Sequence, residues 1–146
     1  MSAEEVKATI RRILEEVWSK SNMEAMDELY AVDFVHHCPP FPDVEGREAY
    51  KKHAVKVRSA FPDGQITIDE IILEGDRCAV RLTWWGTNTG QGKLIPIPPT
   101  GRQVRVTECM VVHLVDGKAV EHWVYSDWLG LLQQLGVVSP LGQGGE

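Results

Sequence analysis

Apolar positions in the first part of the chain recur with the period of a helix. Val6, Ile10, Ile13, Leu14, Val17 and Trp18 form one stripe, and Ser2-Ala3-Glu4-Glu5 ahead of them has the form of a capping box. A second, short helix is predicted from Met23 to Tyr30, with Ser21 and Glu24 as another candidate box. Phe34-Val35-His36-His37-Cys38-Pro39-Pro40 then reads as extended, because a residue before proline avoids the α region. Gly46 opens a third helix with Ala49, Tyr50, Ala54, Val57 and Phe61 on one side, and Pro62-Asp63-Gly64 ends it.

Beyond Gly64 the pattern changes to strands. Gln65–Leu73 and Arg77–Gly86 flank a tight turn at Gly75-Asp76. Gln103–Val115 and Lys118–Ser126 flank Asp116-Gly117, a two-residue hairpin signal. Between the hairpins, Thr87–Arg102 is rich in Gly and Pro and reads as a long loop of the functional kind, a lid or lip carrying Leu94, Ile95 and Ile97. A last short helix, Trp128–Leu135, carries Leu129, Leu131, Leu132 and Leu135 and stops at Gly136. Pro140–Glu146 reads as a loose, Gly-rich tail. Helices first and an antiparallel sheet second is an α+β pattern. The expected shape is a cone, with helices on the concave side of a curved sheet around one apolar pocket. With no repeat and no linker, residues 1–146 are read as one domain with an ordered core of about 3–138.

Composition narrows the function classes. Of 146 residues, 43% are hydrophobic and 25% charged, which suits a globular domain. A net charge of -6 argues against nucleic acid as a partner, since phosphate binding needs a basic surface. No apolar run approaches the roughly 18 residues of a membrane span. The acidic N-terminus lacks a secretory apolar core, so a cytoplasmic protein is expected. Cys38, Cys78 and Cys109 are odd in number and have no paired spacing, which speaks against a disulfide framework or a zinc site. Cys78 and Cys109 are read as buried thiols in strands.

A two-residue loop at Asp116-Gly117 sets a register, Val115 opposite Lys118 and Leu114 opposite Ala119. Continued unbroken, it pairs Met110 with Trp123, Glu108 with Tyr125 and Val106 with Asp127. Opposed residues share a face. One wall then carries Val106, Glu108, Met110, Trp123, Tyr125 and Asp127. The other carries Thr107, Cys109, Val111, His113, Val120, His122, Val124 and Ser126. Two carboxyls on an apolar wall are costly unless paired, bonded or protonated, and burial makes a carboxyl usable as an acid or base near neutral pH. The bland alternatives stand beside this: Glu108 pairs with Arg81 or Arg105, and Asp127 caps the last helix. Trp85, Trp123 and Trp128 either line the pocket or are plain core. His36, His53, His113 and His122 are read as surface or structural. His36-His37 with Asp33 lacks the helical i, i+4 spacing of a metal pair, so no metal is expected.

The run Asp116-Gly-Lys-Ala-Val-Glu-His-Trp123-Val-Tyr-Ser-Asp127-Trp-Leu-Gly-Leu-Leu-Gln-Gln-Leu-Gly136 resembles the C-terminal signature of SnoaL-like polyketide cyclases, also called ester cyclases. Phe61-Pro62-Asp63, Gly86-Thr87-Asn88-Thr89-Gly90, Pro98-Pro99-Thr100-Gly101 and Val35-His36-His37 extend the resemblance from roughly Ala31 to Val137. It implies the nuclear transport factor 2-like α+β cone. It also implies intramolecular aldol ring closure in polyketide methyl esters, without metal or organic cofactor. It makes Asp127 the acid/base residue and His37 a pocket residue, so both are expected to be catalytic. Asn88 stands where many relatives carry a His, and the stretch Gln91–Ile97, with Ile95-Pro96-Ile97, makes a longer, more apolar lip. Asn88, Glu108, Tyr125, Trp123, Trp85, Met110 and Ile95 are the expected binding residues for a hydrophobic small molecule. His37, Asn88 and Tyr125 are the candidate oxyanion donors. A homodimer is expected through a patch of Val111, His113, Val120, His122 and Val124. The alternatives are another reaction of the same fold, such as ketosteroid isomerisation or epoxide opening, and a non-catalytic ligand-binding dimer.

Overall fold

A computed structural model describes residues 1–90 and 96–142. The expected stripe on the first helix is buried. α1 (Ala3–Ile13) and the wider π-helical turn Leu14–Ser19 that continues it bury Val6, Ile10, Ile13, Leu14 and Val17. Ser2 caps α1, its Oγ accepting from the Glu5 N–H at 3.1 Å. The second box does not form. Asn22 precedes the short turn Met23–Ala25 and α2 (Met26–Leu29) without a side-chain cap, while Ser21 Oγ accepts from Arg58 Nε.

The chain then enters β1 (Tyr30–His37), the two-residue β2 (Val44–Glu45) and α3 (Arg47–Ala60). β3 (Gln65–Glu74), β4 (Arg77–Thr87), β5 (Gln103–Val115) and β6 (Lys118–Ser126) follow, and α4 (Trp128–Gln134) closes the fold. The strands form one curved, unclosed sheet in the order β2-β1-β6-β5-β4-β3, antiparallel except where β1 runs parallel to β6. The helices pack on its concave side. The main core joins α1, α2 and α3 to the inward residues of the sheet, with Tyr30, Phe34 and Tyr50 at its centre, their rings 4.7–5.4 Å apart.

One feature of β6 decides what the cavity contains. Val115 pairs with Lys118 and Leu114 with Ala119, as the hairpin turn requires. His113, however, pairs with Glu121, which leaves Val120 as the extra residue of a β-bulge. Every later pair is displaced by one: Val112 with His122, Met110 with Val124, Cys109 with Tyr125, Glu108 with Ser126. Because side chains alternate, this slip turns all of β6 beyond the bulge over. His122, Val124 and Ser126 face inward, and Trp123 and Tyr125 face outward, opposite to the unbroken register. Cys78 is buried as expected, but Cys109 is exposed rather than buried, because the alternation of β5 puts it on the outer face between the inward Glu108 and Met110.

The glycines of Gly86-Thr87-Asn88-Thr89-Gly90 have a packing cause. A Cβ on Gly90 would overlap the backbone carbonyl of Ser59, and one on Gly86 would crowd Phe61 Cβ at 3.1 Å. The end of β4 therefore lies against the C-terminus of α3, where Gly90 N–H donates to the Ala60 carbonyl. Among the described residues, no helix is long and apolar enough to cross a membrane.

Candidate active site

The concave side of the sheet and the helices enclose a largely apolar cavity with about 790 Å³ of empty space, counting its open mouth. β5 contributes Glu108 and Met110, β6 contributes His122, Val124 and Ser126, and β4 contributes Trp84. His36 and Cys38 reach it from β1 and the residues after it, Tyr50 and His53 from α3, and Trp128 from α4.

Glu108 is the acid of this wall. Its partner is Ser126, whose hydroxyl donates a short hydrogen bond to Oε1. Among the described residues it has no ion pair. Arg81 pairs with Glu70 instead, and the backbone of Arg105 bonds the Gln134 side chain. The carboxyl keeps some accessible surface because it lines an open cavity, yet protein surrounds it. Burial pushes its pKa up to about 6, and the Ser126 bond opposes that rise. Glu108 therefore combines ionisation at neutral pH with appreciable basicity.

A pair of histidines lines the same cavity. His36 Nδ1 is 2.6 Å from His122 Nε2, and both rings are buried. Burial, reinforced by neighbouring histidines, drives both pKa values down, that of His36 to about 3, so the pair is neutral. His53 packs tilted against His36 with ring centroids 4.9 Å apart, and burial pushes its pKa down too. The second ring nitrogen of His36, Nε2, is buried without a partner among the described residues, and so is Nε1 of Trp128. Arg58 lines the cavity too, but its guanidinium is spent on Ser21 Oγ and the carbonyls of Gly64 and Pro62.

Several expected site residues lie elsewhere. His37 and His36 exchange roles, because alternation along β1 puts Phe34 and His36 in the core and His37 on the outer face. There His37 bridges Glu121 at 2.6 Å and Asp43 at 2.9 Å and stacks on Trp123. Trp123 also lies under the Arg77 guanidinium. Tyr125 is 59% exposed and Trp85 46% exposed, both on the outer face; Trp84 is the inward indole of its pair. Asn88 is buried but does not line the cavity. Its Oδ1 accepts from the N–H and hydroxyl of Thr100, which pins the loop. Asp127 is exposed, lies off the cavity wall and caps α4, accepting from Gly130 N–H at 2.9 Å. Glu108 and Met110 do line the cavity. Ile95 and Leu94 lie outside the described residues, as do residues 143–146 of the tail. Ile97 packs on the small cluster around Phe61, Val106 and Leu131. The expected dimer patch is broken up, since His122 and Val124 point into the cavity.

His36, His53, His122 and Ser126 were missed by sequence reasoning. For His36 a signal existed: Phe34, two residues earlier, is a core aromatic, and period-2 alternation carries His36 to the same face. For His122 and Ser126 no signal existed without the bulge.

Comparison with known proteins identifies the family and the fold. The profile of the family described as SnoaL-like polyketide cyclase matches residues 8–135. The aklanonic acid methyl ester cyclase DnrD of Streptomyces peucetius is 30% identical over 105 residues, 70% of either chain. A crystal structure of a candidate polyketide cyclase from Acidithiobacillus ferrooxidans is 30% identical, covers 93% of this chain and 98% of its own, and superposes with a TM-score of 0.79. A SnoaL-like candidate cyclase from Jannaschia sp. CCS1 is 22% identical, covers 96% and 98%, and has a TM-score of 0.85, which speaks for the fold.

Proposed function

We propose, for a chain that belongs to the SnoaL-like polyketide cyclase family, that it closes a ring in a polyketide ester by intramolecular aldol addition, with Glu108 as the acid/base group. The observation that carries this is Glu108 itself: a carboxyl on the wall of an apolar cavity, bonded to Ser126, with no cation beside it among the described residues. An apolar cavity suits a folded, ring-forming substrate. Holding the two reacting carbons together is worth up to about 7–11 kcal/mol. A carboxylate with a pKa raised to about 6 takes a proton from a carbon flanked by two carbonyls and returns it to the new alkoxide. The ring closure itself is an isomerisation, so no co-reactant is consumed. In this reading Asp127 holds α4 in place rather than moving protons.

The test is turnover of aklanonic acid methyl ester, the compound in the relatives' name. The parent protein should cyclise it. Folded Glu108→Gln should do so at least about a hundredfold more slowly, the scale of general acid–base catalysis. Turnover of Glu108→Gln at the parent rate would remove the carboxyl from the mechanism.

A further inference from the structure

The reading of Glu108 as the base leaves a second requirement of the reaction unassigned. When a C–H bond beside a carbonyl gives up its proton, the electron pair settles on the carbonyl oxygen, and that charge needs a hydrogen-bond donor in place beforehand. Two residues of the cavity lining carry a buried ring nitrogen without a partner among the described residues, His36 Nε2 and Trp128 Nε1.

They differ in how they are held. His36 is 4% exposed. Its other nitrogen is fixed by the 2.6 Å contact to His122 Nε2, and its ring lies among Tyr50, His53 and His122, with centroids 4.8–4.9 Å away. One proton lies between the two imidazoles. When His122 Nε2 carries it, His36 Nδ1 accepts, and the remaining proton of neutral His36 must sit on Nε2. That buried nitrogen, with no protein partner among the described residues, is then an N–H donor on a residue that lines the cavity. Leaving such a group unbonded is costly, so a ligand oxygen gains by meeting it.

We infer that His36, oriented by His122, is the electrophile of this site: its Nε2–H donates to the substrate carbonyl oxygen on which charge develops. The inference rests on the cyclase reading for the reaction it serves, but the donor site itself does not depend on turnover. The proton leaves the substrate carbon for the Glu108 carboxylate, and the electron pair of the C–H bond becomes the enolate. His36 donates a hydrogen bond to the enolate oxygen and keeps its proton. The enolate carbon forms the new C–C bond to the second carbonyl, and that carbonyl's oxygen takes the proton from Glu108. A neutral imidazole suits the task, because a neutral donor polarises a carbonyl without the cost of burying a cation. His122 acts through His36 and is a positioning residue.

The test separates donor from base by using ligands that cannot cyclise. 2-Acetylnaphthalene carries the carbonyl; 2-ethylnaphthalene has nearly its shape without the oxygen. Their affinity ratio is measured for the parent, His36→Leu, His36→Gln and Trp128→Phe. The expected result is a fall of at least about threefold in the ratio for His36→Leu, partial recovery in His36→Gln, whose amide is again a donor, and little change in Trp128→Phe. This ratio is a double-mutant cycle, so a general loosening of the cavity cancels. In the unmutated, 15N-histidine-labelled protein, which removes any question of folding, the His36 Nε2 signal should move with 2-acetylnaphthalene and not with 2-ethylnaphthalene. A ratio unchanged in His36→Leu, a ratio that collapses in Trp128→Phe instead, or a stationary His36 Nε2 signal would overturn the inference. If aklanonic acid methyl ester is not turned over but the His36 readouts behave as expected, the donor site stands and the cyclase reading falls.

Discussion

The Ser126 hydroxyl donates to the Glu108 carboxyl from the position directly opposite on the neighbouring strand. That bond favours the charged form and holds down a pKa that burial raises to about 6. Ser126→Ala should therefore move the acidic limb of the kcat/KM profile to higher pH, because the base must be ionised to work. A limb that stays in place would separate Glu108 from the rate-determining proton transfer.

Glu108 also links stability to pH. Its pKa is raised on folding from 4.5 to about 6, so the folded state binds the proton more tightly than the unfolded chain. Stability from this group is greatest below about 4.5, falls as pH rises through 6, and levels off at a cost of at most about 2 kcal/mol. Glu108→Gln should remove that slope. Urea denaturation at pH 4.5, 5.5, 6.5 and 7.5 should show the variant gaining on the parent as pH rises.

Asp127 separates the family's expectation from the geometry. Asp127→Asn keeps a good cap and should leave turnover within a few-fold and stability within a few tenths of a kcal/mol, whereas Asp127→Ala should cost about 1 kcal/mol. Turnover by Asp127→Asn a hundredfold below the parent would restore this residue as the acid/base group.

His37 should respond to pH on the opposite side of neutrality. The hydrogen bond that His37 donates to Glu121, helped by Asp43, raises its pKa on folding. Its contribution is fully present below the unfolded pKa of 6.5 and is lost as pH rises through the folded value. His37→Gln should lower the melting temperature more at pH 5.5 than at pH 9 and leave turnover unchanged, since the ring lies on the outer face. A large loss of turnover at constant stability would contradict this placement.

Gly90 lies where a methyl group would meet the Ser59 carbonyl. Gly90→Ala should cost about 1–3 kcal/mol or more through overpacking, read as a lower midpoint in urea. A neutral substitution would mean that β4 does not press on α3.

The amphipathic stripe of α1, the bounds of β3 to β6, the Asp116-Gly117 turn and the buried row of β5 were all legible in the sequence. Each depends on local period and turn chemistry. Glu108 and Met110 were placed correctly for the same reason: β5 alternates unbroken from Gln103 to Val115. His36 was legible from its spacing to Phe34, but the resemblance drew attention to His37 beside it.

The inner surface of β6 was not legible. A period-2 strand carries no mark of its own register, so a single unpaired residue, Val120, exchanges every face that follows it. No local pattern announces such a bulge, because its cause is the fit of the strand into a curved sheet between β1 and β5. By itself the sequence determined an α+β cone and placed two carboxyls, Glu108 and Asp127, on its apolar wall. Only the tertiary structure decided that one carboxyl, Glu108, meets Ser126 rather than Tyr125, that two histidines 86 positions apart share one proton, and that Asp127 lies off the cavity wall. The physical reason is that these partners come from strands whose register is set by packing, not by neighbours along the chain.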